Sequence, residues 1–287
     1  TILVCGYTGC GKTTLIQGIC GKEVVSDDKV VHGRPGTTDY LNYQSLLVNL
    51  WDTQGFEPGQ TEQEFLEKTK NFVRERQNDP NIDNHIHLVW YCIQGSGARV
   101  TPCDLELIKN IFPNVIVLIT KKDITKGMQL ESITKILSNN GIEQQRILAV
   151  AEDDKDSLIE VVKLSHDLLP EAYRQAFASA QLVDLEEKEK WAQRIIHGAA
   201  AAAAAAAAIP LPFSDAFIIT PIQVGMIVAL GELYGMAEDA GKRTFLPVIA
   251  ESVGILTASS LVKIFPGLGS LIQASVAAAL TEAVGQL

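Results

Sequence analysis

Cysteine is scarce in this chain, and the few present suit neither of the two structures that cysteine patterns usually reveal. The 287 residues hold five, Cys5, Cys10, Cys20, Cys92 and Cys103. An odd number in no ligand spacing makes neither a disulfide framework nor a metal centre, so a reduced, cytoplasmic protein is expected. His85 and His87 open an apolar run without further ligands grouped around them, and both read as structural. Positive charge is also in deficit, with 24 Lys and Arg against 34 Asp and Glu, a net −10 and a pI near 5.0. That balance argues against nonspecific binding to nucleic acid, and no nucleic-acid partner is expected. Charge of either sign is thin toward the C-terminus, where residues 199–287 carry nine of the 58 charged side chains. Missing there, too, is the clean apolar stretch of about 20 residues that a spanning helix needs. Every candidate is interrupted, by Pro221, Glu232, Pro247, Glu251, Lys263 or Pro266. No signal peptide stands at the start, and a chain that opens directly on a strand is expected to have further residues upstream.

What is present begins at once. Ile2-Leu3-Val4-Cys5 reads as a buried strand and runs into Gly6-Tyr7-Thr8-Gly9-Cys10-Gly11-Lys12-Thr13, a complete G-x-x-x-x-G-K-[ST] phosphate loop. Its glycines allow the backbone to curl its N–H groups toward phosphates, and the helix expected from Lys12 adds the positive end of its dipole. Gly6, Gly9, Cys10, Gly11, Lys12, Thr13 and Thr14 are the candidate phosphate-binding residues. Lys12 reaches the β- and γ-phosphates in this pattern, which makes it a candidate catalytic residue, and the Thr13 hydroxyl holds Mg²⁺. Cys10 lies among N–H donors that favour its thiolate, yet it reads first as a small loop residue and only second as a redox switch.

Later strand ends supply the rest. Leu46 to Trp51 reads as a buried strand ending in Asp52-Thr53-Gln54-Gly55, where Asp52 would hold Mg²⁺ through water and the Gly55 N–H would meet the γ-phosphate. Val115 to Ile119 delivers Thr120-Lys121-Lys122-Asp123. A carboxylate at Asp123 accepts from both N1–H and the N2 amino group of guanine, a donor pair that adenine lacks, so the nucleotide is read as GTP or GDP. The Lys121 stem would cover the base, Thr120 would brace the loop, and the backbone N–H of Ala151, after the strand Arg146 to Val150, would meet the guanine O6.

With these motifs in this order, residues 1 to 168 resemble the GTPase superfamily. The resemblance implies a doubly wound α/β domain with ligands at the C-terminal ends of its strands. His32 to Asp39 is similar to the Pro-Gly-x-Thr segment of Era-like GTPases, which makes Thr38, in preference to Thr37, the residue that closes on Mg²⁺ and a candidate catalytic group. Three departures stand out. Phe56 occupies the place where Ras-like proteins carry a water-orienting Gln, so intrinsic hydrolysis is expected to be slow; neither Gln54 nor Gln60 is given a catalytic role. Gly9 stands where potassium-activated relatives carry Asn, which argues against a monovalent activator. Val150-Ala151 replaces the usual Ser-Ala. The loop itself resembles those of septin, immunity-related and plastid-import GTPases, and that resemblance implies a nucleotide-dependent homodimer formed through the nucleotide faces.

Between the strands, apolar residues recur at helical spacing over Thr61 to Gln77, Pro102 to Phe112, Gln129 to Leu137 and Ser157 to Leu169. Pro170 marks a break, and residues 169–287 are expected to form an all-α domain. Glu171 to His197 reads as one helix whose charged middle, Asp184 to Lys190, is a solvated face. Gly198 and ten alanines follow, Ala199 to Ala208, an almost bare helix suited to close packing. Ser214 or Asp215 can cap the next helix, Ala216 to Tyr234, and Phe245 to Phe265 and Leu268 to Leu287 complete the set. Pro210 to Ile227 with Leu233-Tyr234-Gly235 resembles the hydrophobic helical domain that follows Era-like GTPases in many bacterial proteins, implying a bacterial origin and a membrane or helical-partner role; a helical tail behind such a loop is also similar to immunity-related and, more distantly, dynamin-like GTPases. Two functions stay open. One is a slow GTPase whose nucleotide state controls dimerisation and contact of the helical domain with lipid at the inner face of the membrane. The other is a soluble regulatory GTPase whose helical domain docks a protein or ribonucleoprotein.

Overall fold

The computed structural model describes residues 1–21, 30–32, 40–44, 48–53, 61–97, 99–208, 215–236 and 269–286. The chain divides into two compact units, Thr1–Asp184 and Leu185–Leu287. In the first, the elements run β1 (Ile2–Gly6), α1 (Lys12–Cys20), β2 (Val30–His32), β3 (Tyr40–Gln44), β4 (Asn49–Thr53), α2 (Glu62–Gln77), β5 (Leu88–Gln94), α3 (Pro102–Glu106), β6 (Val115–Thr120), α4 (Gly127–Asn139), β7 (Ile147–Ala149), α5 (Lys155–Leu168) and α6 (Glu171–Ala180). The strands form one sheet in the order β2-β3-β4-β1-β5-β6-β7. From β4 to β7 the pairing is parallel, while β2 and β3 add an antiparallel edge. That edge was not expected from sequence.

The central strands read as unbroken apolar runs because helices cover both faces of the sheet. Alternation then sorts their side chains. Ile2, Val4, Leu88, Trp90, Cys92, Ile116 and Leu118 pack with Leu15, Ile16 and Ile19 of α1 and with Leu158, Val161 and Val162 of α5. Leu3, Cys5, Val89, Tyr91, Ile93, Val117 and Ile119 join Phe65 and Phe72 of α2, Leu107 and Ile108 beyond α3, and Ile133 and Leu137 of α4. Two helix starts are fixed by reciprocal caps. The Thr61 hydroxyl accepts from the Glu64 N–H at 3.2 Å and the Glu64 carboxylate accepts from the Thr61 N–H at 2.8 Å, while Thr101 and Asp104 repeat the device with Pro102 at the first helical position. The helix expected over Pro102 to Phe112 is α3 followed by one widened turn, Leu107–Ile111.

The first unit extends past residue 168, where the sequence suggested its end. Trp90 is fully buried; its indole N–H donates to Ser165 Oγ at 2.9 Å, and its ring meets Phe177 of α6 edge-on, with centroids 6.3 Å apart. Leu169, Phe177 and Val183 all belong to the core beneath the sheet. Truncating a side chain buried like Phe177 typically costs about 3 to 5 kcal/mol, so α6 belongs energetically to the sheet domain. The single helix expected over Glu171 to His197 is broken after Ala180. Buried Gln181 makes the break: its side-chain oxygen accepts from the N–H groups of Val183 and Asp184 at 2.8 and 2.7 Å, and its amide donates to Asp184 O at 2.8 Å. A side chain that satisfies the backbone of a turn this fully offers the chain an alternative to helix.

The second unit contains α7 (Leu185–Ala207), α8 (Asp215–Leu233) and α9 (Gly269–Gln286). The alanine run is the C-terminal half of α7, and Ala200, Ala203 and Ala207 are its buried stripe. Without side chains beyond Cβ this stripe admits close neighbours: Ala203 and Ala207 cluster with Ile219 of α8 and Ala277 of α9. Gly285 continues the close approach, since a Cβ there would lie 2.6 Å from Ile196 Cγ1. The charged start of α7 is not wholly solvated, contrary to the sequence reading. Lys188 is 2% exposed and its ammonium donates to the carbonyl of Leu233 at 2.7 Å, near the Tyr234 ring. A cation on the last carbonyl of α8 satisfies an orphan acceptor and complements the helix dipole. Among the described residues, no helix is long and apolar enough to cross a membrane. The expected cap Ser214 and the expected helix Phe245 to Phe265 lie outside the described residues.

Candidate nucleotide site

The phosphate loop joins β1 to α1, and its shape is dictated by glycine at two points. At Gly6, φ is +143° and an added Cβ would stand 2.3 Å from the Cys92 carbonyl oxygen on the neighbouring strand, so no side chain fits. Gly11 takes a left-handed conformation at φ 92° immediately before α1. Within the loop, the Cys10 N–H donates to Tyr7 O at 3.2 Å. Lys12 is buried, folded back so that its ammonium donates to Gly6 O at 3.2 Å and Tyr7 O at 3.1 Å. The cation is thereby held over the loop it is expected to share with phosphate oxygens.

Thr13 and Asp52 meet on the adjacent side. The Thr13 hydroxyl donates to Asp52 Oδ2 at 2.8 Å, although 38 residues separate them in the chain, because β4 pairs with β1 and brings Asp52 beside the start of α1. Burial pushes the Asp52 carboxyl up to about 6, against the opposing pull of the Lys12 charge and the Thr13 hydroxyl. Its second oxygen, Oδ1, is buried with no hydrogen-bond partner among the described residues. A buried, half-satisfied carboxylate beside a hydroxyl is a hard-oxygen donor pair, and it fits a divalent cation of the Mg²⁺ type that keeps several waters. No group of three or more His, Cys, Asp or Glu able to hold a metal by themselves occurs among the described residues. His85 Nε2 lies 2.8 Å from Asp79 O, and His87 Nδ1 lies 2.8 Å from the Thr1 amino group.

Beyond the loop lies a cavity of about 250 Å³. Gly11 and Thr14 line one end, and Thr120, Lys121, Asp123 and Ala151 line the other. Thr120 ties the two ends together, its hydroxyl donating to Cys10 O at 2.5 Å and to Ile93 O at 3.3 Å. Lys121 is the one non-glycine residue with positive φ among the described residues, at 58°. That conformation costs about 1 kcal/mol or more and persists where the surroundings hold it. Here the holding contacts are two, Lys121 Nζ to Gly9 O at 2.8 Å and Thr125 Oγ1 to Lys121 O at 2.6 Å. The Lys121 stem thus spans from the base cavity to the phosphate loop.

On the opposite wall the Ala151 N–H donates to Ser157 Oγ at 3.3 Å, so in this structure it is engaged within the protein. Ser157 Oγ donates in turn to Asp154 O at 2.7 Å, Asp154 Oδ1 accepts from the Ser157 N–H at 3.2 Å, and Lys122 Nζ lies 2.6 Å from Asp154 Oδ2. The sequence reading missed Lys122, Asp154 and Ser157. Their signal was there, a carboxylate three residues before Ser at a helix start directly after the last strand. Lys12, Thr13, Thr14, Asp52, Thr120, Lys121, Asp123 and Ala151 all lie around this loop and cavity. Thr37, Thr38, Gln54, Gly55, Phe56 and Gln60 lie outside the described residues.

A septin family model matches residues 1–190, spanning β1 through the start of α7. Cell division control protein 11 of Saccharomyces cerevisiae is 22% identical over 165 residues, covering 48% of this chain and 40% of that protein. GTPase Era of Borreliella burgdorferi is 25% identical over 160 residues, covering 53% and 50% respectively. The tRNA modification GTPase MnmE of Treponema denticola is 27% identical over 158 residues, covering 52% of this chain and 31% of the relative. The chain thus spans half or less of the length of each of these relatives. The match extends over the whole sheet, the phosphate loop, the Asp52 strand end and the Thr120–Asp123 turn. The chain belongs to the septin family.

Proposed function

We propose that the first unit binds GTP with Mg²⁺ and hydrolyses it slowly to GDP and phosphate, and that nucleotide state controls pairing of two such units and contact of the helical unit with lipid. The observation that carries the nucleotide reading is the continuity of the site. A base-sized cavity ending at Asp123 opens at Gly11 and Thr14 onto a phosphate loop whose Lys12 folds back over Gly6 and Tyr7 and whose Thr13 meets Asp52. A nucleotide laid along it places guanine against Asp123, under the Lys121 stem, and its phosphates over the loop. Lys12 then exchanges the Gly6 and Tyr7 carbonyls for phosphate oxygens, whose charge it neutralises as the γ-phosphoryl group leaves. Thr13 and Asp52 would hold Mg²⁺, Asp52 through water, with Thr38 completing the set; the ion would supply charge neutralisation during phosphoryl transfer. Gly55 would donate its N–H to the γ-phosphate, and the Ala151 N–H would turn from Ser157 to guanine O6.

Pairing of two units is supported by family membership and by Phe56, which offers no hydrogen bond to a hydrolytic water. Lipid contact is supported by the low charge of residues 199–287 and by the small-residue packing of α7, α8 and α9. A second reading, a helical unit that docks a protein, is favoured by the polar contacts buried inside that unit, Lys188 to Leu233 O at 2.7 Å and Gln223 Nε2 to Thr281 Oγ1 at 3.3 Å. Phosphate release from GTP, followed as a function of protein concentration, tests the first part. Flotation with liposomes in the GDP and GTP-analogue states separates lipid from protein docking.

A further inference from the structure

Two of the five cysteines are neighbours in space, and they meet under the phosphate loop. Cys10 is the fourth variable residue of the loop and Cys92 lies on β5, 82 positions later. Gly6 is paired with Cys92 across the β1–β5 ladder, and a Cβ built on Gly6 would touch Cys92 O at 2.3 Å and Cys10 Sγ at 3.0 Å. Both side chains are buried in the core on the same side of the sheet. The other three cysteines are buried free thiols as well. We propose that Cys10 and Cys92 form a dithiol site which closes to a disulfide, and that this modification withdraws the phosphate loop from its nucleotide-binding shape.

The local chemistry favours Cys10 as the attacking sulfur. Its thiol is held below the ordinary cysteine range by the hydrogen bond from Cys92, with burial opposing and the Lys12 charge assisting. Cys92, which supplies that hydrogen bond and is fully buried, is pushed well above. Cys10 is 1% exposed, so the step begins with an opening of the nucleotide-free loop. Its thiolate then attacks one sulfur of a small-molecule disulfide such as oxidised glutathione, forming a mixed disulfide and expelling one glutathione thiolate. Cys92 then gives up its proton and attacks the Cys10 sulfur, expelling the second. The protein loses two protons and two electrons, and the glutathione disulfide gains them as two thiols.

Closing the bond draws the Cys10 backbone toward β5. That backbone carries the N–H bonded to Tyr7 O and the carbonyl that receives the Thr120 hydroxyl, so the pull is transmitted to both the loop and the base cavity. Given the reading of the loop as a GTP-phosphate cradle, on which this step rests, oxidation weakens GTP binding. By linkage bound GTP disfavours the disulfide by the same factor, expected at about tenfold.

The test incubates the full chain, free of nucleotide, with oxidised glutathione and maps the unreduced digest by mass spectrometry. The expected result is one cross-linked peptide pair, Cys10 with Cys92, lighter by two hydrogens, absent from Cys92→Ser and reversed by dithiothreitol. GTP affinity of the same sample is expected to fall about tenfold and to return on reduction, with GTP slowing cross-link formation. No Cys10–Cys92 peptide, or only Cys10 glutathionylation, overturns the proposal. A cross-link that leaves GTP affinity unchanged overturns its coupling to nucleotide. If the reduced chain binds no GTP while the cross-link forms, the function reading fails and the dithiol site stands.

Discussion

The Thr13 hydroxyl is bound to Asp52 at 2.8 Å, and this bond satisfies only one of the two oxygens of a carboxylate that is 3% exposed. The arrangement has an energetic sign. A carboxyl raised from 3.8 to about 6 holds its proton more tightly in the folded than in the unfolded chain. Its contribution is therefore fully present below pH 3.8 and is lost as pH rises through about 6. The ionised, ligand-free site is a liability of about 3 kcal/mol, by the standard conversion of such a shift.

For the nucleotide-free chain, Asp52→Asn is accordingly expected to raise stability by about 2 to 3 kcal/mol at pH 8 and by little at pH 4. Urea denaturation at the two pH values measures this. The same variant is expected to lose the extra stability that Mg²⁺ with GTP gives the parent chain. Equal effects at both pH values would show that Asp52 is ionised at little cost.

Gly6→Ala and Gly9→Ala are expected to differ although both residues have positive φ, +143° and +77°. At Gly9 nothing lies within 4 Å of the added Cβ, so the cost is backbone strain of about 1 to 2 kcal/mol. At Gly6 the Cβ meets a backbone carbonyl of a central strand at 2.3 Å, which neither neighbour can relieve without breaking the β1–β5 ladder. Thermal melting is expected to rank Gly6→Ala well below Gly9→Ala.

Most of this fold was legible where local pattern and burial agree. Ile2 to Cys5, Val115 to Ile119 and Leu88 to Ile93 are continuous apolar runs because each strand is covered on both faces, and they emerge as β1, β6 and β5. The helix over Thr61 to Gln77 carried its own capping residues. The short antiparallel edge, β2 and β3, was not read, since three- and five-residue strands leave too little periodicity to detect. Gln181 was equally silent: a lone Gln in a helical pattern gives no sign that its side chain will satisfy the turn Val183–Asp184. Lys188 looked like part of a charged face because the carbonyl it reaches, that of Leu233, is 45 residues away. In the site, the residues of the phosphate loop and Asp123 announced themselves by order and spacing. The juxtaposition of Cys10 with Cys92 depends on the pairing of β1 with β5, and no spacing in the sequence encodes it.

Turnover is expected to be slow. With Phe56 in place of a water-orienting amide, phosphate release from GTP by dilute protein should run on the order of 10⁻⁴ to 10⁻³ per second, as in unassisted Ras-like proteins. The rate is expected to climb with protein concentration if a second copy completes the site. A fast rate that does not change on dilution would assign the water to a residue of the same copy.

Lipid association is expected to require the helical unit. Deleting residues 199–287 removes the alanine stripe of α7 together with α8 and α9, and should abolish flotation with liposomes while leaving GTP binding in place. Absence of flotation by the intact chain on neutral and anionic liposomes, in every nucleotide state, would leave protein docking as the role of this unit.

Guanine recognition at Asp123 is the centre of the account, and calorimetry of the reduced parent chain with Mg²⁺ and GTP or ATP tests it most directly. Losing a carboxylate that makes two charge-assisted hydrogen bonds costs about 2 to 4 kcal/mol. GTP is therefore expected to bind the parent chain well and ATP weakly, and Asp123→Asn to lose GTP affinity by that amount while gaining affinity for xanthosine triphosphate. Equal binding of ATP and GTP by the parent chain would contradict the assignment.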